Sequence, residues 1–158
     1  MRILILGAGQ VGTTAAFSLA REEANEVTIV DQHPEVLREL QDRLDVRTVV
    51  GNASHPDVLE RAGAREADML IAFTSSDEIN MLACQIAQTL FRTPTRIARI
   101  RARQLMANEA LFGPGGIPVD VVISPSSLVT DYIARPIGFP GALPAPEHPA
   151  ATRRHLAN

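Results

Sequence analysis

The strongest constraint on this chain lies in its first thirty-one residues. Met1-Arg2-Ile3-Leu4-Ile5-Leu6 reads as a buried strand, and Gly7-Ala8-Gly9-Gln10-Val11-Gly12 follows as a G-x-G-x-x-G turn that opens a helix. A second apolar run ends at Asp31, nineteen residues past Gly12. Each part has a physical job. Gly7 makes the tight turn, Gly9 lets backbone N–H groups approach a pyrophosphate, and Gly12 lets the helix pack closely on the strand. The start of a helix favours negative charge. Asp31 is placed to accept hydrogen bonds from ribose hydroxyls. Glycines alone would serve a tight turn; the strand, turn, helix and acid in this order point to a nucleotide.

The remaining chain repeats that alternation. Strands are predicted at Arg2–Leu6, Glu26–Val30, Arg47–Val50, Asp68–Phe73, Arg96–Arg101 and Val119–Ile123. Helices are predicted at about Gln10–Glu23, from Pro34 through Leu44, from Ser54 to Ala62 before Gly63, at Asp77–Phe91, around Gln104–Phe112, and from Ser124 to Ile137. The Asp77–Phe91 helix is expected to bury Ile79, Leu82, Ala83, Ile86 and Leu90. Alternating elements of these lengths imply α/β architecture: a doubly wound, Rossmann-like parallel sheet in three layers, one domain. Residues 1–138 form that domain; residues 139–158, rich in proline and alanine, read as a linker and disordered tail.

Composition narrows the chemistry. The chain has one cysteine, Cys84, so an internal disulfide and a multi-cysteine metal site are excluded. All fifteen basic residues are arginine, which removes a P-loop lysine and a Schiff-base lysine. A net charge of −3 argues against general nucleic-acid binding. No apolar run reaches membrane-spanning length, and the chain reads as cytoplasmic.

The candidate ligand contacts all fall at carboxyl ends of predicted strands, where such sheets bind nucleotides. Ala8, Gln10 and Val11 complete the glycine turn. Gln32 follows Asp31 where a 2′-phosphate binder often carries arginine, which favours NAD or an adenine nucleotide over NADP. Asp31 also serves as a cap for the helix near Pro34. Asn52 and Ala53, after Gly51, edge an adenine pocket or simply form a turn. Thr74, Ser75, Asp77 and Glu78 face the nicotinamide ribose or distal phosphates, with Ser75-x-x-Glu78 matching a capping box. Arg101, and less directly Arg99, share a face of the fifth strand and would grip phosphate or pair with Asp77 or Glu78. His33, His55, His148 and His155 lack metal-ligand spacing, and Cys84 reads as core.

Gly7–Gly12, Ile29-Val30-Asp31, Gly51–Leu59, Ala62-Gly63-Ala64, Ala67–Ala72, Thr74–Cys84, Ile97–Arg101 and Phe112-Gly113 through Pro125 together resemble the N-terminal nucleotide-binding domain of TrkA-type proteins, also called KTN or RCK domains. The resemblance runs from Met1 to about Leu143. It implies a non-catalytic, cytoplasmic regulatory subunit on the inner face of a Trk or Ktr potassium-translocating membrane protein. It also implies NAD(H), or ATP or ADP at the same site, and assembly into a dimer or ring. The family's glycine turn and acid correspond to Gly7, Gly9, Gly12 and Asp31, and its phosphate arginines to Arg99 and Arg101. Leu128, Val129, Tyr132 and Ile133 would serve a dimer. Two departures stand out. Asn52 occupies a position where many relatives carry aspartate, and the usual C-terminal domain gives way to the tail after Pro140-Gly141-Ala142-Leu143, so an isolated or shortened domain is expected. The competing class is the cofactor-binding half of an NAD-dependent oxidoreductase, with a methyltransferase binding S-adenosylmethionine a more distant third.

Overall fold

The computed structural model of the protein describes residues 1–124. Its elements are β1 (Arg2–Leu6), α1 (Gln10–Ala20), β2 (Glu26–Asp31), α2 (Pro34–Arg43), β3 (Arg47–Val50), α3 (Pro56–Arg61), β4 (Met69–Ala72) and α4 (Asp77–Ile86). A π-helical turn, Ala87–Phe91, continues α4; β5 (Thr95–Arg99), α5 (Arg103–Met106), a 3₁₀ turn Glu109–Leu111 and β6 (Val121–Ile123) complete the order. The last predicted helix, its residues Leu128, Val129, Tyr132 and Ile133, and the 139–158 tail lie outside the described residues.

All six strands are parallel, in the order β3-β2-β1-β4-β5-β6. This is the doubly wound arrangement expected from the sequence. The chain starts at the centre, winds outward through β2 and β3, then crosses back to β4. The strand order therefore reverses between β1 and β4, and at such a point the loops leaving neighbouring strands diverge to opposite faces and open a crevice.

Strand residues alternate between two cores. Ile3, Ile5, Val27, Ile29, Met69 and Ile71 pack with Ala15, Ala16 and Leu19 of α1 and Leu37 and Leu40 of α2. Leu4, Leu6, Val30, Leu70, Ala72 and Ala98 pack with Val58 and Leu59 of α3 and Ala83 and Cys84 of α4. With both faces covered, β1 and β4 read as unbroken apolar runs rather than alternating ones.

The structure corrects several boundaries. α1 ends at Ala20, because Asn25 Nδ2 donates to the Leu19 carbonyl and turns the chain early. β5 ends at Arg99, so Arg101 stands beyond the strand rather than on its face. β6 begins at Val121; just before it the Asp120 N–H donates to the Arg96 carbonyl, while the Arg96 N–H is taken by the Asp120 carboxylate rather than by a strand carbonyl. The predicted Gln104–Phe112 helix splits in two, with Asn108 Nδ2 capping the Gln104 carbonyl between the halves.

The largest correction concerns the phase of α4. Asn80, Ala83 and Cys84 are buried, with Ala87 and Phe91 beyond, while Leu82 and Leu90 are each 49% exposed. Ile79 and Ile86 are only partly buried. A polar residue, Asn80, holds an inner position, and the face it marks runs on through Ala83, Cys84, Ala87 and Phe91 at ordinary helical spacing, which leaves Leu82 and Leu90 outside it. Cys84 is fully buried as expected, and burial pushes its thiol up to about 12.

Candidate nucleotide-binding site

The carboxyl ends of β1, β2, β4 and β5 gather most of the predicted site. The glycine turn is held from both sides. Gly7 N–H donates to the Val30 carbonyl at 2.8 Å, and Ala8 N–H donates to Asp31 Oδ2 at 2.8 Å. The acid of β2 is thus joined directly to the turn, a contact the sequence reading did not foresee. Its other oxygen, Oδ1, accepts the His33 N–H at 2.8 Å and lies 3.0 Å from His33 Nδ1. Asp31 thus ties the chain entering α2 to the turn, but the N-cap of α2 is His33 and no side chain caps that helix, so Asp31 does not make the expected cap. Burial pushes its carboxyl up, but the bonds from Ala8 N–H, His33 N–H and the His33 ring outweigh this and hold it below the usual value.

The three glycines differ in what requires them. Gly7 has φ +98°, and a Cβ there would lie 2.8 Å from the Phe73 carbonyl oxygen and 2.9 Å from Thr74 Cα. This close approach seats the turn against the exit of β4. At Gly12 a Cβ would lie 1.8 Å from the Gly7 carbonyl oxygen. At Gly9 a Cβ would meet no atom within 4 Å, and the backbone is extended (φ −74°). Neither packing nor conformation within the protein calls for glycine at that position.

Gly9 is also the N-cap of α1, and no side chain caps this end or places an acid in its first turn. The first N–H groups of a helix have no partner within it, so these donors, with the helix dipole, present a site for an anion. Gln10 and Gly9 are exposed and Val11 is half-buried. Gln32 is exposed beside Asp31.

Across the crevice, the exit of β4 is more tightly built than its motif implied. The cap of α4 is Ser76, not Ser75: Ser76 Oγ accepts Ile79 N–H at 3.2 Å and donates to Glu78 Oε2 at 3.1 Å. Thr74 turns its N–H and Oγ1 to Asn80 Oδ1. Asp77 accepts the backbone N–H groups of Arg101 and Ala102, at 3.0 and 2.8 Å. The Arg101 guanidinium donates to the Ser75 carbonyl, so the expected pairing with Asp77 is made by Arg101's backbone and not its side chain. Arg99 has no hydrogen-bond or ion-pair partner for its guanidinium among the described residues. Burial and the neighbouring Arg101 pull its pKa below the ordinary value, opposed by Asp77.

At the end of β3, Asn52 Oδ1 accepts from Ser54 N–H and Oγ at 2.8 and 2.7 Å, forming the turn that was the alternative reading. Its amide nitrogen has no hydrogen-bond partner among the described residues. Ala53 is buried in the core, so only its backbone can contribute. Asn80 was missed as a site residue; its signal was a polar side chain at a buried helical position.

Two concave surfaces lie elsewhere. One, about 370 Å³ at the opposite ends of the strands, is lined by Glu26, Glu66 and Asp68 beside Arg2, an acidic setting unsuited to phosphate. The other, about 480 Å³, lies against the Gly113–Gly116 loop, where Arg96 is already engaged by Pro118, Thr93 and Asp120. Among the described residues no His, Cys, Asp and Glu group is arranged to hold a metal, and no helix is long and apolar enough to cross a membrane.

The TrkA-N domain family model matches residues 3–125. This chain belongs to the TrkA-N domain family. The match spans the glycine turn, Asp31 and the α4 start together. The Trk system potassium uptake protein TrkA of Halomonas elongata is 58% identical over 143 residues, covering 90% of this chain and 31% of that protein. Its counterpart from Vibrio alginolyticus is 60% identical over 144 residues with the same coverage. The chain thus spans about a third of the length of these curated relatives. Among solved structures, the GsuK channel bound to NAD superposes with a TM-score of 0.62 at 21% identity, over 77% of this chain and 21% of that one. That likeness is one of fold.

Proposed function

We propose that this TrkA-N domain is a non-catalytic nucleotide sensor for potassium uptake. It takes NAD(H), or ATP or ADP in the same place, with phosphates over the uncapped start of α1. The adenosine ribose meets Asp31 and Gln32, and the Asn52 amide nitrogen with the Ala53 backbone edges the base. The far end of the ligand lies toward Thr74, Ser75 and Glu78, within reach of Arg99 and Arg101. The observation that carries this reading is Gly9: a glycine that the protein's own packing does not need, at the mouth of a helix N-terminus that no side chain caps, beside an acid fixed to the same turn. An outside group coming close to the backbone gives that glycine its reason.

The partner in this reading is a Trk/Ktr-type potassium-translocating membrane protein, reached from the cytoplasmic side by a dimer or ring of these domains. The names of the relatives support it, as does the NAD-bound channel among the structural neighbours. A nucleotide changes the arrangement of such domains only by binding one arrangement more tightly. Arg101 supplies such a difference, since a distal phosphate engages it and draws it off the Ser75 carbonyl.

Isothermal titration of NADH and ATP tests the site. Affinity is expected in the micromolar range, falling about tenfold or more for Asp31→Ala and for Arg101→Ala with ATP. Unchanged affinity in both variants would remove the assignment. Steady consumption of NADH with a small carbonyl substrate would replace the sensor by an oxidoreductase.

A further inference from the structure

The ladder between β4 and β5 ends at the pair Ala72 and Ala98. Past it the two strands bond away from each other: Phe73 N–H donates to the Leu6 carbonyl, while Ile100 N–H donates to the Ile123 carbonyl. The gap that opens between them is bridged by one side chain, Asn80, which is completely buried. Its Oδ1 accepts Thr74 N–H at 2.9 Å and Thr74 Oγ1 at 2.6 Å, and its Nδ2 donates to the Thr74 carbonyl at 3.2 Å and the Arg99 carbonyl at 2.8 Å. All four bonds that a carboxamide can readily make are made. The amide does for the splayed strands what a peptide group does inside a ladder. One turn earlier on the same face of α4, Asp77 holds the N–H groups of Arg101 and Ala102. The first turn of α4 therefore grips the backbone after Arg99 and on both sides of Arg101, the two candidate phosphate arginines.

We propose that Asn80, with Asp77, is a positioning pair that fixes Arg99 and Arg101 over the cleft and so sets the preference for nucleotides carrying distal phosphates over a monophosphate. This rests on the nucleotide reading of the site above. Asn80 touches no ligand in this scheme; it acts through the β5 exit. Losing it frees the Arg99 carbonyl and the Thr74 N–H, which then recruit water and let the exit shift away from α4.

The test uses the full chain, with ATP and AMP as probes in calorimetric titrations of the wild type, Asn80→Ala, Arg101→Ala and the double variant. Asn80→Ala is expected to bind ATP about tenfold more weakly, the scale of one lost buried hydrogen bond, with AMP affinity kept within about twofold. In the Arg101→Ala background it should cost less than it does in the wild type, because part of its effect runs through the Arg101 side chain and only the part carried by Arg99 remains. Parallel loss of ATP and AMP, simple addition of the two losses, or no change in either ligand overturns the proposal. Should Asn80→Ala fail to fold, Asp77→Asn, which removes one acceptor at a half-exposed position, enters the same cycle with the same outcomes. A wild type that binds neither nucleotide removes the reading of the site and this inference with it. A wild type that binds both, with ligand-independent variants, removes this inference alone.

Discussion

Replacing Gly9 with alanine separates the needs of the ligand from the needs of the fold. The added methyl meets no protein atom within 4 Å, and the backbone at Gly9 is one that any residue adopts. Alanine is a poorer helix N-cap than glycine by something under about 1 kcal/mol. Against this, it reduces the freedom of the unfolded chain by about 0.4–1 kcal/mol. The two nearly cancel, so the melting temperature should stay within about 3 °C of the wild type. Gly12→Ala is the control. Its methyl would lie 1.8 Å from the Gly7 carbonyl oxygen, so helix and turn must separate, at a cost of about 3 kcal/mol or more. For binding, the Gly9 methyl stands where a pyrophosphate must approach the N–H groups of α1. Holding the phosphates off by about an ångström should weaken NADH and ATP by about ten- to a hundredfold, or roughly 1.4–2.7 kcal/mol. Thermal melts followed by titration calorimetry read both quantities on one sample. A Gly9→Ala protein that melts normally and binds both nucleotides as well as the wild type would refute the phosphate cradle. One that melts far below the wild type would refute the reading of the turn as open.

Asp31 has a carboxyl held below its usual value of 3.8 in the folded chain, so its share of stability is present above that value and is lost as pH falls through the lower, folded one. The difference in urea midpoint between wild type and Asp31→Asn should therefore shrink in acid as pH falls below about pH 4; a difference that grows there reverses the sign. Cys84, pushed up to about 12 by burial, should resist a thiol reagent at pH 8 in the folded chain and react once the chain is unfolded in urea; rapid labelling of the native protein contradicts its placement. Leu82→Ser should change stability by no more than about 0.5–1 kcal/mol, whereas Leu59→Ala, at a fully buried site, should cost about 2–5 kcal/mol in chemical denaturation. Comparable losses would restore the helical phase first expected for α4.

The order of elements and the parallel sheet were legible because apolar runs of strand length alternate with helical periods, and few topologies accept that alternation. Gly12 was legible because the atom it must clear, the Gly7 carbonyl oxygen, belongs to the same short motif; at Gly7 the positive φ is local, but the backbone it clears, at Phe73 and Thr74, comes from the exit of β4. The carboxylate of Asp31 was correctly placed near the turn, but its bond to Ala8 N–H depends on the lateral pairing of β1 with β2, which no local pattern contains. The α4 face was misread because periodicity counts hydrophobic residues. Asn80 is polar yet takes a core position, being saturated by partners from β4 and β5 that are distant in sequence. The shift of the cap from Ser75 to Ser76 has a similar origin. Two adjacent serines offer the same chemistry, and the exit of β4 decides which one faces the helix.

The central strand belongs to two separate interiors at once, Ile3 and Ile5 to one and Leu4 and Leu6 to the other. Sliding β1 by a single residue would exchange all four partners on both faces together, so neither layer of helices can tolerate the slip. The first loop inherits that discipline. Its place over the carboxyl end of the sheet is set by about ten ångströms of strand, Ile3 to Leu6, whose every side chain is checked from above or below, roughly three-quarters of the strand's length. A change in either helical layer is thus felt at the first loop through the strand that both of them hold.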